Sequence, residues 1–460
     1  MTASFPDPAE LAERIERSQV EPNLTIADLI AALLADGTRL DAYEDVEGLA
    51  IKAYENPGSD AGGLADRMLP IRNEIAHELW SRELLVAIEI IDQLLFTALK
   101  HPEGGSPVRQ VLEVLRGARV EAAGFVVFAV HSLGLESESL DALRAGVEFI
   151  SADWGIALSS QTNNLNHTIA LLDRVRQAFG VSGVVPRESI RHWRRSRHTE
   201  WLERNPLLCV RVAEAAGTYY GNEALLLSRL QAATSLIAML AALQPSRQSS
   251  GRPTMSTWVI NNQQTLNIHH YLVLSPGRSA ADEFDGDCVP ISRGRPDIVA
   301  MSELHVDIDP TYWTAHAKEG NQVQQMVWAV YRGYLRYGFD PDSTDELARM
   351  ARRRFESLTY FQRSFSGQGW RDIISLSTAF ELLLHERSAA NTAKRIRNTI
   401  KSLFGGSAEG AQYAGAFSRV YDARNKIVHD GIRNPHLDLN ESRRAYVSAF
   451  VKQVEAAPVE

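Results

Sequence analysis

The sequence predicts a mainly α-helical chain with a small β-containing region near its centre, and three observations carry that expectation. Apolar residues recur at three- and four-residue spacing through most of the N-terminal half and again from Tyr312 to the C-terminal end, the period of helices with one buried face. After the polar connector Gln244-Pro-Ser-Arg-Gln-Ser-Ser-Gly-Arg-Pro253 the period shortens toward two in Trp258–Asn261, Thr265–Leu274 and Glu303–Asp309, as strands require. Composition is that of an ordinary globular chain, with 45% hydrophobic and 23% charged residues in 460, which excludes fibrous and largely disordered classes.

In chain order, Ile26–Leu34 and Leu40–Tyr54 read as two short helices. Pro70 suits the opening turn of the next, and the apolar pattern then runs from Ile75 to Lys100 through Trp80, Leu84, Leu85, Ile88, Ile91, Leu94 and Leu95 with no glycine stop. Val108–Leu133, Ser139–Leu158, Asn164–Phe179 and Asn222–Leu243 continue the helical reading. Residues 1–245 thus form a helical N-terminal region, 254–310 a small β-containing region, 311–344 a connecting helix and 345–456 a helical domain. Within the last, Arg371–Arg387 is one helix whose apolar face (Ile373, Ile374, Leu376, Phe380, Leu383, Leu384) embeds Glu381, a carboxylate that wants a partner in such company. The following helix sets Lys394, Arg397 and Lys401 on one face. A glycine-rich loop (405–410), a long helix and a final helix from about Glu441 to Ala456 complete a bundle.

The long helix ends in Tyr421-Asp-Ala-Arg424-Asn425-Lys-Ile-Val-His429-Asp-Gly431. Asn425 and His429 are four apart and share a helix face, and Arg424 reaches the same region through its long side chain. The Asp430-Gly431 pair stops the helix, so the imidazole sits where the helix dipole favours its protonated form. An arginine to hold phosphate and an imidazole to move protons are the parts needed to cleave a phosphodiester without a metal. The order recurs in Pro70-Ile-Arg72-Asn73-Glu-Ile-Ala-His77, a candidate second site.

The stretch 345–456 resembles the HEPN superfamily, in particular its Apea-like branch, in its helical bundle, its Phe380-Glu381-Leu-Leu segment and its Arg424-Asn425-x-x-x-His429-Asp-Gly ending. The resemblance implies a metal-independent endoribonuclease that acts on RNA, in RNA processing, a toxin-antitoxin pair or defence against phage. It further implies a homodimer whose paired motifs face one cleft. Carried over, Arg424 is the phosphate-binding arginine, Asn425 the polar residue that follows it and His429 the general acid or base. The alternatives are a non-catalytic RNA-binding or ligand-sensing module and a helical protein-interaction scaffold. The N-terminal half would select substrate, sense a trigger or restrain activity, with room for a regulatory protein partner.

The net charge of −9 argues against a protein that coats nucleic acid, and leaves open a local basic cleft. Besides Lys394, Arg397 and Lys401, the densest basic stretch is 187–204. There Arg191, Arg194, Arg195, Arg197 and Arg204 are interleaved with His192, Trp193, His198 and Trp201, a pattern that fits phosphate contacts and base stacking or, equally, a connector packed by its tryptophans. His305, Asp307 and Asp309 alternate on one strand, with His269-His270 on another, which gives either a mixed metal site or a solvated strand face; no metal and no cofactor is assigned. The two cysteines fit a reducing compartment, and neither a signal segment nor a membrane span is read from the sequence, so the expectation is a cytoplasmic protein.

Overall fold

A computed structural model describes residues 5–102, 105–117, 123–130, 133–136, 147–162, 164–195, 200–214, 219–245, 254–255, 270–276, 284–290, 300–339, 345–384, 391–432 and 437–457. The chain is mostly helical with a smaller β-containing region, as the sequence predicts. It divides into two compact units, Met1–Ala123 with Val212–Leu226, and Gly124–Arg211 with Leu227–Glu460.

The first unit is a helical assembly of α1 (Pro8–Glu16), α2 (Ile26–Ala35), α3 (Gly37–Leu40), α4 (Val46–Glu55), α5 (Asp60–Ser81), α6 (Ile88–Lys100) and α7 (Pro107–Gly117), with the short strands β1 (Gln19–Glu21), β2 (Leu24–Thr25) and β3 (Leu84–Leu85). Its helix starts are written in the sequence. Thr25 and Asp28 form a capping box at α2, and Ser59 caps α5. Two expectations are corrected here. Pro70 lies inside α5 rather than in an opening turn, because Ser59 starts the helix well upstream. The pattern from Ile75 to Lys100 is two helices: Glu83 turns left-handed at φ 63°, the Trp80 indole N–H donates to the Val86 carbonyl at 2.8 Å, and Leu84-Leu85 pairs in parallel with Ala213-Glu214. The backbone breaks without a glycine, so the apolar spacing alone did not reveal the stop.

The second unit holds the larger sheet, with strands β4 (Ala123–Ala129), β5 (Leu133–Glu136), β6 (Glu148–Ser151), β7 (Ile156–Ser159), β8 (Leu207–Glu214), β9 (Thr254–Met255), β10 (His270–Pro276), β11 (Phe284–Pro290) and β12 (Val306–Ile308). One sheet runs β11-β10-β4-β8-β7-β6, and a second runs β12-β5-β9. The helical reading of Val108–Leu133 holds over Val108–Gly117 and is corrected beyond it, as is that of Ser139–Leu158, since 123–129, 133–136, 148–151 and 156–159 are strands; residues 118–122, 131–132 and 137–146 lie outside the described part. Phe125-Val-Val-Phe-Ala-Val130 is fully buried between β10 and β8, and a strand buried on both faces is apolar without a break, which periodicity cannot tell from a buried helix. The strands expected at 270–274 and 306–308 are present, while Trp258–Asn261 and Thr265–His269 lie outside the described residues. They complete sheets begun by 123–159: Leu272 pairs with Val127, and Val306 pairs in parallel with Leu133.

Helices α8 (Leu165–Ala178), α9 (Arg187–Arg195) and α10 (Trp201–Arg204) lie between β7 and β8, and α11 (Tyr219–Leu243) between β8 and β9. Leu225–Leu243 is long and apolar enough to cross a membrane, but 89% of it is buried inside the fold. It is a core helix here. After α12 (Pro310–Ala315) and α13 (Ala317–Gly333) comes a π-helical turn at Tyr334–Gly338, then α14 (Glu346–Arg363), α15 (Trp370–Leu384), α16 (Thr392–Leu403), α17 (Ala408–Asp430) and α18 (Asn440–Ala456). These last five helices cover Glu346–Ala456 and belong to the second unit together with the sheet.

The bundle is centred on Tyr446 of α18. Its ring stacks on Phe361 of α14 at 4.4 Å and meets Phe380 of α15 edge-on at 5.3 Å, and Phe380 meets Phe417 of α17 at 5.2 Å. The Tyr446 hydroxyl shares a hydrogen bond with Ser357, which also donates to the Ala379 carbonyl, so the buried polar tip is satisfied. Truncating such a ring costs about 3–5 kcal/mol. The motif helix is therefore clamped at Phe417, about one turn before Tyr421, and its last turns project from a fixed base.

Candidate functional site

Helix α17 starts at Ser407, whose hydroxyl accepts from the Gly410 N–H at 3.2 Å, and ends at Gly431, whose left-handed backbone (φ 69°) lets its N–H return to the Lys426 carbonyl. Ala416, Val420, Ala423 and Ile427 form its buried stripe. With about 100° per residue, Asn425 and His429 each lie two positions from Ile427 and face away from that stripe. The solvent exposure agrees: Arg424 and Asn425 are half-buried, and His429 is exposed. Arg424 donates through Nη1 to Asn425 Oδ1 at 3.2 Å, and its guanidinium lies 5.7 Å from the Tyr421 ring centroid. No ion pair engages Arg424 among the described residues. Val428 and Ile432, neighbours of His429 in the sequence, are exposed by 50% and 47%.

The first copy is built alike and then diverges. Arg72 donates to Asn73 Oδ1 through Nε at 3.1 Å and Nη2 at 2.8 Å, the same pairing of neighbours. Its third arm, Nη1, meets Asp92 Oδ2 of α6 at 3.3 Å. Burial pushes the Asp92 carboxyl above its usual range, and the Arg72 charge pulls it back. His77 is half-buried, 6.3 Å ring to ring from the core residue Trp80. Because α5 stops at Ser81, this imidazole also lies in the last turn or so of its helix, closer to the C-terminal arrangement than the sequence suggested. The two copies belong to different units.

The basic candidates separate in the same way. On α16, Ile396 and Ile400 are buried while Lys394, Arg395, Arg397 and Lys401 are exposed. None of the four has an ion-pair partner among the described residues. A Cβ added to Gly410 would meet the Phe404 Cβ at 2.7 Å and the Lys401 Cα at 3.6 Å, so α16 and α17 pack as a close hairpin with Lys401 level with Gly410. The basic helix therefore lies alongside the N-terminal part of α17, with Lys401 about 21 Å along the helix axis from the level of Arg424. Around 187–204 the arginines are matched instead: Arg187 to Asp173 at 2.9 Å, Arg191 to Glu188 at 2.7 Å, Arg194 to Glu203 at 2.7 Å and Arg204 to Glu200 at 3.5 Å. Trp201 is core, Arg195 is exposed, and Arg197, His198 and the Trp193 side chain lie outside the described residues.

Glu381 is half-buried at the edge of α15, and the partner found at that position is for the backbone: Arg353 Nη2 donates to the Glu381 and Leu382 carbonyls at 3.2 and 3.3 Å, closing the helix end. His385-Glu386 lies outside the described residues. On and directly beside β12 the three polar residues make different contacts. His305 lies against Gly367, the Asp307 carbonyl accepts from Gln244, and Asp309 caps α12 through the Thr311 and Tyr312 N–H groups. Among the described residues no group of three or more His, Cys, Asp or Glu is arranged to hold a metal ion, and His269 lies outside them.

Sequence reasoning missed Asp92, whose position twenty residues after Arg72 gives no local signal, and the buried pair Arg443–Asp372 at 3.5 Å beneath the bundle. Comparison with protein-family models, with curated proteins and with solved structures finds no match.

Proposed function

We propose that the chain is a metal-independent endoribonuclease of HEPN type that cleaves single-stranded RNA at Arg424, Asn425 and His429. The observation that carries the reading is the contrast between twin motifs: Arg72 is occupied by Asp92, whereas Arg424 is aligned by Asn425 and meets no carboxylate among the described residues. A guanidinium held in place and still free of an anion suits a phosphate. The cations of α16, on the helix that packs against α17 and without ion pairs among the described residues, suit a more distant part of the same strand's backbone.

In this mechanism a base removes the proton of a ribose 2′-hydroxyl, and the 2′-oxygen attacks the adjacent phosphorus. The bond to the 5′-oxygen breaks, and that oxygen takes up a proton. The products are a 2′,3′-cyclic phosphate and a free 5′-hydroxyl. Arg424 stabilises the charge that develops on the phosphoryl oxygens, and Asn425 orients it. His429 supplies one of the proton transfers, since its imidazole is exposed to an incoming strand. One imidazole does not act as base and acid at once, so His429 of a second copy is the proposed other partner, in a homodimer. The resemblance extends the proposal to phage defence or a toxin-like system with a regulatory protein partner.

The test is cleavage of a single-stranded RNA by the purified protein in excess chelator. His429→Ala should abolish it with helicity unchanged, and a 2′-deoxy residue at the cleaved position should block it. A second reading, RNA binding without cleavage, is favoured by the α16 cations alone, which need no His429; RNA bound with salt dependence and left whole would select it.

A further inference from the structure

The β6–β7 hairpin forms one edge of the large sheet, and helix α8 packs beside it. Between them lies a cleft of about 140 Å³ whose lining includes Val147, Ser159, Ser160, His167, Ala170 and Arg174. Two hydroxyls there have hydrogen-bonding capacity to spare. Ser159 is only 2% exposed and its Oγ has no hydrogen-bond partner. A buried hydroxyl left unmatched is uncommon in a folded chain and calls for an explanation at the site. Its neighbour Ser160 accepts from the Val147 N–H at 2.9 Å through Oγ, which leaves the hydroxyl proton to donate.

Charge narrows the class of ligand. The one cation on the lining, Arg174, is gripped at two points by Glu148, with Nε to Oε2 at 3.0 Å and Nη2 to Oε1. The rim is therefore electrically balanced and has no spare positive charge for a phosphate or carboxylate. Val147 and Ala170 add an apolar surface, and the exposed His167 is also on the lining. Pockets for drug-sized ligands run to about 300–1,000 Å³, so this one suits a single or fused small ring.

We propose that this cleft binds a compact, uncharged nitrogen heterocycle of nucleobase size, its polar edge on Ser159 and Ser160 and its face on Val147 and Ala170. The proposal does not rest on the reading of Arg424 and His429. Ligand-observed NMR and calorimetry on the full chain, with adenine, guanine, cytosine and uracil as probes and with inorganic phosphate and ribose as controls, test it. At least one base should bind saturably to one site with a Kd of about 1 mM or tighter, as expected for so small a ligand. Ser159→Ala should weaken that binding several-fold, and Ser159→Val, which fills the deep end as well, should weaken it about tenfold or more, each with the ligand-free melting curve recorded alongside. The inference is overturned if no base binds at up to about 10 mM, if phosphate or ribose binds in preference, or if Ser159→Ala melts like the parent and binds as tightly.

Discussion

Arg72→Ala and Arg424→Ala make the sharpest pair of perturbations, because the same substitution in the same local motif should damage different properties. Removing Arg72 strips Asp92 of its counter-charge across 3.3 Å, with the two side chains 21% and 24% exposed. Hydrogen bonds to charged groups contribute about 1.5–3 kcal/mol, and partial exposure brings this pair to about 1–2 kcal/mol. In a unit of this size that is a fall of about 2–8 °C in the midpoint of its unfolding transition. The pH dependence has a fixed sign. Burial already raises the folded Asp92 carboxyl above its unfolded value and Arg72 opposes the rise, so losing Arg72 raises it further. A carboxyl raised in the folded state stabilises below its unfolded value, about 3.9, and loses that contribution as pH climbs through the folded value. The deficit of Arg72→Ala should therefore be full at neutral pH and shrink near pH 4. Adding Asp92→Asn should recover most of it.

Arg424 has no such partner among the described residues, so its replacement should change stability by only about 0.5 kcal/mol, the usual range for surface positions. Its cost should fall on the chemical step, a loss of about 100- to 1,000-fold in single-turnover cleavage at saturating RNA, the size seen when one donor to a developing anion is removed. Circular dichroism melts and single-turnover cleavage in chelator, run on both variants, give the answer. Cleavage lost in Arg72→Ala with an unchanged melt would refute the reasoning, as would an Arg424→Ala protein that melts early and cuts normally.

Three further outcomes are expected. Replacing Lys394, Arg397 and Lys401 together by alanine should leave the melt unchanged, since all three are exposed, and should lower the slope of log affinity for single-stranded RNA against log salt by about 2, at about 0.7 per phosphate contact; an unchanged slope would assign this face to solvent or a protein partner. Light scattering over a concentration series should show a dimer under the conditions that support cleavage, and a strictly monomeric yet active protein would remove the second His429 from the mechanism. Burial holds His305 below the usual imidazole range against the opposing pull of Asp372 and Glu303, so its stabilising contribution is present above about pH 6.5 and lost as pH falls through the folded value; His305→Gln should flatten the acid limb of the stability profile.

Much of the C-terminal domain was legible because its helices carry their own punctuation. Ser407 and Gly431 bracket the motif helix, and the i, i+4 spacing of Asn425 and His429 gave the exposed face directly. The large sheet was not legible, since Phe125–Val130 is apolar on both faces and its partners β8 and β10 come from distant parts of the chain. The two motifs looked alike for a physical reason: adjacent arginine and asparagine on a helix can hydrogen-bond whatever surrounds them. What distinguishes them is a carboxylate brought in by tertiary packing, and no local spacing encodes that.

That distinction extends from one arginine to the charge pattern of the chain. With a net charge of −9, most places where an arginine meets the surface also offer it an acid, as Arg187, Arg191, Arg194 and Arg204 all show. The hairpin of α16 and α17 breaks the rule, with Lys394, Arg395, Arg397, Lys401 and Arg424 free of ion pairs among the described residues. Matched arginines gain little from a passing phosphate, because an existing partner must be given up. Unmatched ones lose only hydration. The binding free energy for a polyanion should therefore be concentrated on this hairpin even though a second stretch, 187–204, has the denser sequence of basic residues. A direct comparison settles it: Arg191→Ala with Arg194→Ala should leave the salt slope of RNA binding nearly unchanged, while Arg395→Ala with Arg397→Ala should lower it by about 1. Equal effects from the two pairs would show that sequence density, and not the absence of acidic partners, decides where this chain meets RNA.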